Sequence, residues 1–191
     1  MPDGAPVTLP PTASDLAAAR FVARHATPPV ERVLRVVTCL ADERAILAAA
    51  GLFWAYSRSM KPDRETARRA DHILGCAVVS AILPHLIKRL VDRKRPDRMV
   101  VRRHRNGIPR SGRAWDSFPS GHAVHLGALA QALGPMVPAR LSPYLWPAAL
   151  SLAATRIMLL AHYPSDVAAG LALGIAVERG VGAALGRGRR A

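Results

Sequence analysis

The chain has 191 residues, half of them hydrophobic, and carries 27 Lys+Arg against 13 Asp+Glu, a formal charge of +14. That length suits one domain and is short for two, and the charge points to anionic partners: nucleic acid, lipid surfaces or phosphorylated substrates. Aromatic residues are only 5%, so Ala, Leu, Val and Gly carry the apolar surface, which fits close-packed helices better than a β-sandwich. The two cysteines, Cys39 and Cys76, stand in no CxxC or Cys/His cluster; they are expected as two small buried residues, with no disulfide or metal site.

Residues 1–13, rich in proline, lack the basic start and apolar stretch of a secretory signal and are expected to form a disordered lead-in. Ser14 can cap a helix through "DLAAARFVARHA", stopped by Pro28 and Pro29. A second helix, "ERVLRVVTCLAD", follows. Both are charged too often to span a bilayer and suit its surface.

From Ala45 the texture changes. Runs free of Asp, Glu, Lys and Arg extend over Ala45–Ser57, Ile73–Ile87, Ser117–Ala139, Leu141–Thr155 and Val167–Val177. A bilayer-spanning helix needs about 20 mostly apolar residues. The third run reaches this alone; the others reach it if flanking charges snorkel or face a bundle interior. The expected fold is all-α: an antiparallel bundle of the five hydrophobic, transmembrane helices preceded by amphipathic ones, with residues 14–186 as one domain and 187–191 as a basic tail. A mean hydropathy of +0.12 keeps a soluble all-α bundle as the competing expectation. Gly170 and Gly174 offer a small-xxx-small face for close helix packing. The connection from Asp92 to Asp116 carries nine arginines and lysines, among them Arg102, Arg103, Arg105, Arg110 and Arg113.

Three clusters stand out. In "KRLVDRKRP", Lys88 and Arg95 are two helical turns apart and would share a helix face, while Pro96 ends the helix at Arg95. In "FPSGHAVHLG", Ser120 and Gly121 open an apolar helix whose free N–H groups suit an anion, and His122 projects there as a titratable group; His125 on the same face is expected to be structural. In "TRIMLLAHYPSD", Arg156 interrupts an apolar run, His162 follows near its end, and Asp166 lies one turn beyond. That spacing lets Asp166 accept the imidazole N–H and leave the other ring nitrogen free to attack. Alternating helices would bring all three clusters to one end of the bundle, as a phosphoryl site requires.

The ordered motifs K-x6-R-P, P-S-G-H and R-x5-H-x3-D, spanning Lys88 to Asp166, resemble the type-2 phosphatidic acid phosphatase superfamily, which also holds soluble acid phosphatases and vanadium haloperoxidases. Thr155 stands where many members have serine. The resemblance implies that His162 attacks phosphorus, Asp166 orients it, and His122 protonates the leaving oxygen. It assigns Lys88, Arg95, Ser120, Gly121 and Arg156 to the phosphoryl oxygens, with no metal or other cofactor. The implied protein is a bacterial inner-membrane phosphatase of lipid phosphates or polyprenyl mono- or diphosphates, partnered by membrane lipids and not by nucleic acid. By the charge rule, the basic loop inclines the site to the cytoplasm. The alternatives are a vanadium-dependent haloperoxidase and an inert basic protein binding membrane or nucleic acid.

Overall fold

The computed structural model describes residues 4–59, 64–100 and 113–186. Chain order gives β1 (Val7–Thr8), α1 (Ala13–His25), α2 (Pro28–Thr38), a 3-10 turn (Cys39–Ala41), α3 (Glu43–Ser59), α4 (Arg64–Lys88), β2 (Val91–Asp92), α5 (Pro96–Met99), α6 (Gly121–Leu133), α7 (Ser142–Met158) and α8 (Pro164–Ala184). The all-α expectation holds, and the five apolar runs become α3, α4, α6, α7 and α8. Several basic residues of the Asp92–Asp116 connection, including Arg102, Arg103, Arg105 and Arg110, lie outside the described residues, as does the tail 187–191.

Local chemistry fixes the N-terminal helices. Thr12, not Ser14, caps α1: its hydroxyl accepts the Asp15 N–H at 3.1 Å while the Asp15 carboxylate accepts the Thr12 N–H at 3.1 Å. This reciprocal box satisfies two donors at once, which Ser14 inside the first turn could not do. Pro28 and Pro29 do more than stop α1; they open α2, where a missing N–H leaves no bond unmade.

The lead-in is ordered from residue 4, contrary to expectation. Val7 and Thr8 pair in parallel with Val91 and Asp92, and the Ala5 N–H donates to the Asp92 carboxylate at 3.1 Å. An extended edge left by the 91–95 segment gives these residues backbone partners that a free tail lacks.

In the bundle, α6 packs most extensively on α8, with α4 and α7 also against it. The helix backbones approach very closely. A Cβ on Gly174 would lie 2.2 Å from the Val124 carbonyl oxygen, and one on Gly170 would lie 2.7 Å from the Ser120 carbonyl oxygen. The small-residue face read from Gly170 and Gly174 is therefore the α6–α8 contact. Alanine dominates the buried core, with Ala123, Ala153 and Val167 in one cluster and Cys76, Ala77, Ala128 and Val177 in another. Cys39, expected buried, is exposed, and both cysteines are free thiols.

Among the described residues, two helices are long and apolar enough to cross a membrane, α4 and α8. The run expected to span unaided, 117–139, holds only the 13-residue α6. Its first residues are consumed by the turn that leads into the helix, and the end is set by Gly134 and the bend beyond it.

Candidate active site

Where the second and third clusters meet, α7 stops and α8 starts. After Met158 the chain turns through Leu160, which sits in the left-handed region at φ 54°. Glycine usually fills this position after a helix. Leucine is held there by burial against Ala19, Ala23 and Tyr163. The turn places His162 before Pro164, which opens α8, and Asp166 at its third position, where the carboxylate accepts the Tyr163 N–H at 2.8 Å.

The first cluster is built differently from expectation. Lys88 is the last residue of α4 and Arg95 is an extended residue ahead of α5, so they do not share a helix face. Residues 91–95 run extended because their backbone is claimed by neighbours. Arg93 N–H donates to the Trp115 carbonyl, Ser117 N–H to that of Arg93, and Arg95 N–H to that of Ala114. Pro96 adds its own bias against helix at Arg95. Asp116 then gathers the two cations: its carboxylate accepts Arg95 Nε at 2.7 Å and lies 3.9 Å from Lys88 Nζ.

These elements enclose a cavity of about 430 Å³. Lys88, Arg95, Gly121, His122, His125, Arg156 and His162 line it, together with Asp42, Glu43, Arg44, Pro84 and His85. Six of the eight residues proposed from sequence therefore share one pocket. The other two, Ser120 and Asp166, are fully buried behind it, joined by a hydrogen bond from the Ser120 N–H to the Asp166 carbonyl at 3.2 Å. The Ser120 hydroxyl and Arg156 Nε are buried without a hydrogen-bond partner among the described residues. Burying such groups unmatched is costly, and an oxyanion in the cavity would supply the acceptors.

His162 is held by a contact that the sequence did not suggest. Its Nδ1 donates to the Ser117 carbonyl at 2.6 Å, whereas the nearest Asp166 oxygen is 4.0 Å away. The carbonyl can only accept, so Nδ1 carries the proton and Nε2 keeps its lone pair. Asp166 acts one layer back: it accepts the Ser117 hydroxyl at 2.6 Å and so fixes the residue that orients the imidazole. Burial, followed by the nearby Arg95, Arg156 and Lys88, pushes the His162 pKa well below its ordinary range, opposed only by the Ser117 carbonyl. His162 is thereby neutral, as a nucleophile has to be.

Sequence reasoning missed the buttress behind it. Arg93 is fully buried and donates to Asp166, to the Ser165 hydroxyl at 2.8 Å and to Asp15 at 2.7 Å. Its guanidinium also lies 4.9 Å over the Tyr163 ring. Asp15 accepts both the Ser165 N–H at 3.1 Å and its hydroxyl at 2.7 Å. Burial would raise the Asp15 carboxyl, but the hydrogen bonds from Ser165 and Thr12 outweigh it and lower the pKa to about 2. Arg93 is one cation in a basic run, and Asp15 reads as a helix cap. Nothing in their neighbourhoods along the chain distinguishes them.

An all-α bundle that gathers cations, a helix N-terminus and two histidines at one end defines a site for oxyanions and phosphoryl chemistry. The chain belongs to the PAP2 superfamily, whose family model matches residues 71–185. It is 32% identical over 163 residues to a lipid A 1-phosphatase of Rhizobium johnstonii, covering 80% of this chain and 66% of that protein. It is 40% identical over 101 residues to a decaprenylphosphoryl-5-phosphoribose phosphatase of Mycobacterium tuberculosis, covering 53% of this chain and 52% of the relative. The chain thus spans between about half and two thirds of the length of these curated relatives. Among solved structures, Aquifex aeolicus LpxE matches with a TM-score of 0.70 at 18% identity, covering 89% of this chain and 95% of that one. The first transmembrane PAP2 type phosphatidylglycerolphosphate phosphatase from Bacillus subtilis matches at 0.66 and 19% identity, covering 93% and 87%.

Proposed function

We propose that this chain is a membrane phosphatase that hydrolyses a lipid or polyprenyl phosphate through a phosphohistidine. The observation that carries the reading is the state of His162: proton on Nδ1, lone pair on Nε2, facing a cavity lined by Lys88, Arg95 and Arg156. In the first step Nε2 attacks phosphorus and the P–O ester bond breaks. Its electrons go to the leaving oxygen, which takes a proton from His122. In the second step His122 removes a proton from water, the hydroxyl oxygen attacks phosphorus, and the P–N bond breaks to return neutral His162 and free phosphate. Lys88, Arg95, Arg156, the Ser120 hydroxyl and the Gly121 N–H stabilise the charge that builds on the phosphoryl oxygens. Asp166, through Ser117, is a positioning residue.

Cationic side chains fill the part that a metal ion has in other phosphatases, so EDTA should leave turnover nearly unchanged. A haloperoxidase is not favoured, since the named relatives are phosphatases. The test is phosphate release by detergent-purified protein from a panel of lipid phosphates, with His162→Ala as the control. Release by the parent chain and none by the variant supports the reading; release unaffected by His162→Ala overturns it.

We further place the chain in a bacterial inner membrane with the site toward the cytoplasm, following the excess of basic residues between Asp92 and Asp116. Arg113 is exposed. In a Cys39→Ser background, Arg113→Cys should react with an impermeant maleimide in inverted vesicles and not in intact spheroplasts. The opposite pattern reverses the assignment.

A further inference from the structure

Resting on that reading, we propose that Asp116 is a positioning residue of the phosphate site: it holds Arg95 and Lys88 in place and cancels part of their charge, so that the site binds a phosphate without trapping it. Asp116 lies outside all three motifs that the sequence singled out. It is not among the described residues that line the cavity, whereas both cations it contacts are. It therefore acts on substrate through them.

The geometry sets each part of the role. Arg95 Nε donates to Asp116 Oδ1 at 2.7 Å, and its Nη1 donates to the Ala161 carbonyl at 3.1 Å. Asp116 belongs to the stretch that leads into α6, and Ala161 to the turn that leads into α8. Arg95 is thus fixed at two points, one on each side of the site, and its remaining N–H groups are left for the cavity it lines. The second carboxylate oxygen of Asp116 lies 3.9 Å from Lys88 Nζ. Among the described residues, no other carboxylate pairs with either cation. The backbone here is held independently of the Asp116 side chain. Arg93 N–H donates to the Trp115 carbonyl at 2.8 Å and Ser117 N–H to the Arg93 carbonyl at 3.0 Å, so a substitution at 116 leaves the chain in place.

The negative charge is the informative part. An asparagine would accept the same hydrogen bond from Arg95 without a charge. A carboxylate behind two of the three cations opposes an incoming phosphate, and beside the buried Arg95 that opposition is weakly screened. A site built only for affinity would have no use for it. What the carboxylate supplies is order before substrate arrives. It relieves the repulsion between two cations facing one cavity and fixes the N–H directions, so little reorganisation is needed as charge builds on the phosphoryl oxygens. Its cost in affinity falls on substrate and on inorganic phosphate alike. Binding both more tightly would lower KM without raising kcat, and the freed phosphate has to leave the same cations that held the ester.

The test uses the full chain in detergent with inorganic phosphate as the probe. Affinity is read by calorimetric titration and, independently, as product inhibition of lipid phosphate hydrolysis. Asp116→Asn should bind phosphate about fivefold or more tighter than the parent, with KM lowered in proportion and no gain in kcat. Asp116→Ala, which removes the acceptor as well, should fall below Asp116→Asn in kcat by about tenfold or more, because Arg95 is no longer aimed. A merely structural role would lower Tm and leave phosphate affinity per folded molecule unchanged. Phosphate affinity in Asp116→Asn equal to or weaker than the parent's, or equal kcat in the two variants, overturns the proposal and leaves the phosphatase reading standing. A parent chain that neither binds phosphate nor releases it from lipid phosphates overturns the phosphatase reading and the role of Asp116 with it, a separate result.

Discussion

His122 and His162 line one pocket, and leaving-group chemistry separates the acid and nucleophile roles proposed for them. An aryl phosphate departs as a stable phenolate, whereas an alkyl alkoxide needs a proton as the bond breaks. His122→Ala should therefore lose about 10²–10⁴-fold on alkyl or lipid phosphates and much less on an aryl phosphate, measured as kcat/KM on matched esters. Equal losses would remove His122 from the acid role. Behind them, Asp15 shares the buried Arg93 with Asp166. Removing one partner of a buried charge pair costs about 3–5 kcal/mol. Asp15→Ala should lower thermal stability by an amount of that order. It should also reduce kcat, because Asp166 is then the one carboxylate left to Arg93 and is drawn away from Ser117. A calorimetric scan beside a turnover assay checks both, and an Asp15→Ala protein with parent stability would remove the buttress.

At the scale of the elements, the α6–α8 contact sets the distance between the two halves of the site. Ser120 and His122 stand at the start of α6, while His162 precedes α8 and Asp166 lies in its first turn. The glycines between these helices meet backbone, not flexible side chains, so an added methyl cannot be accommodated by a rotamer change. Gly174→Ala should therefore separate the helices at a cost of about 1–3 kcal/mol from overpacking. It should cut turnover more than a stability loss of that size would explain, read as specific activity of the folded fraction by circular dichroism and phosphate release. Gly180, whose Cβ would meet nothing within 4 Å, serves as the control: Gly180→Ala should keep both stability and rate.

Across the whole molecule, the buried site makes the fold sensitive to acid. His162 has a folded pKa well below its ordinary 6.5, so under pH 6.5 the unfolded chain binds more protons than the folded one. Stability from this group is full above 6.5 and is lost as pH falls toward the folded value. Asp15 adds a second, lower window: its contribution is present above 3.8 and disappears as pH falls to about 2. Denaturation midpoints should thus be flat above neutrality and decline from about pH 6.5 downward. His162→Asn should flatten the upper part of that decline, and a slope unchanged in the variant would contradict the assignment.

How much of this was legible in advance differs by kind. The order of charges and apolar runs was enough for five hydrophobic helices, and their alternation was enough to bring the clusters holding Lys88, Arg95, Ser120, Gly121, His122, Arg156, His162 and Asp166 to one end of the bundle, though Lys88 and Arg95 do not share the helix face their spacing suggested. Helix periodicity and proline punctuation are local, and alternation of direction follows from short connections. The partners were not local. That His162 is oriented by the Ser117 carbonyl, that Lys88 and Arg95 meet across an extended segment through Asp116, and that Asp15 reaches Arg93 from 78 positions away depended on which buried polar groups came within hydrogen-bond reach once the helices had packed. Sequence determined which chemistry the chain could assemble. Tertiary structure alone decided who holds whom, because a hydrogen bond is settled by tenths of an ångström, and only the packed backbone sets distances on that scale.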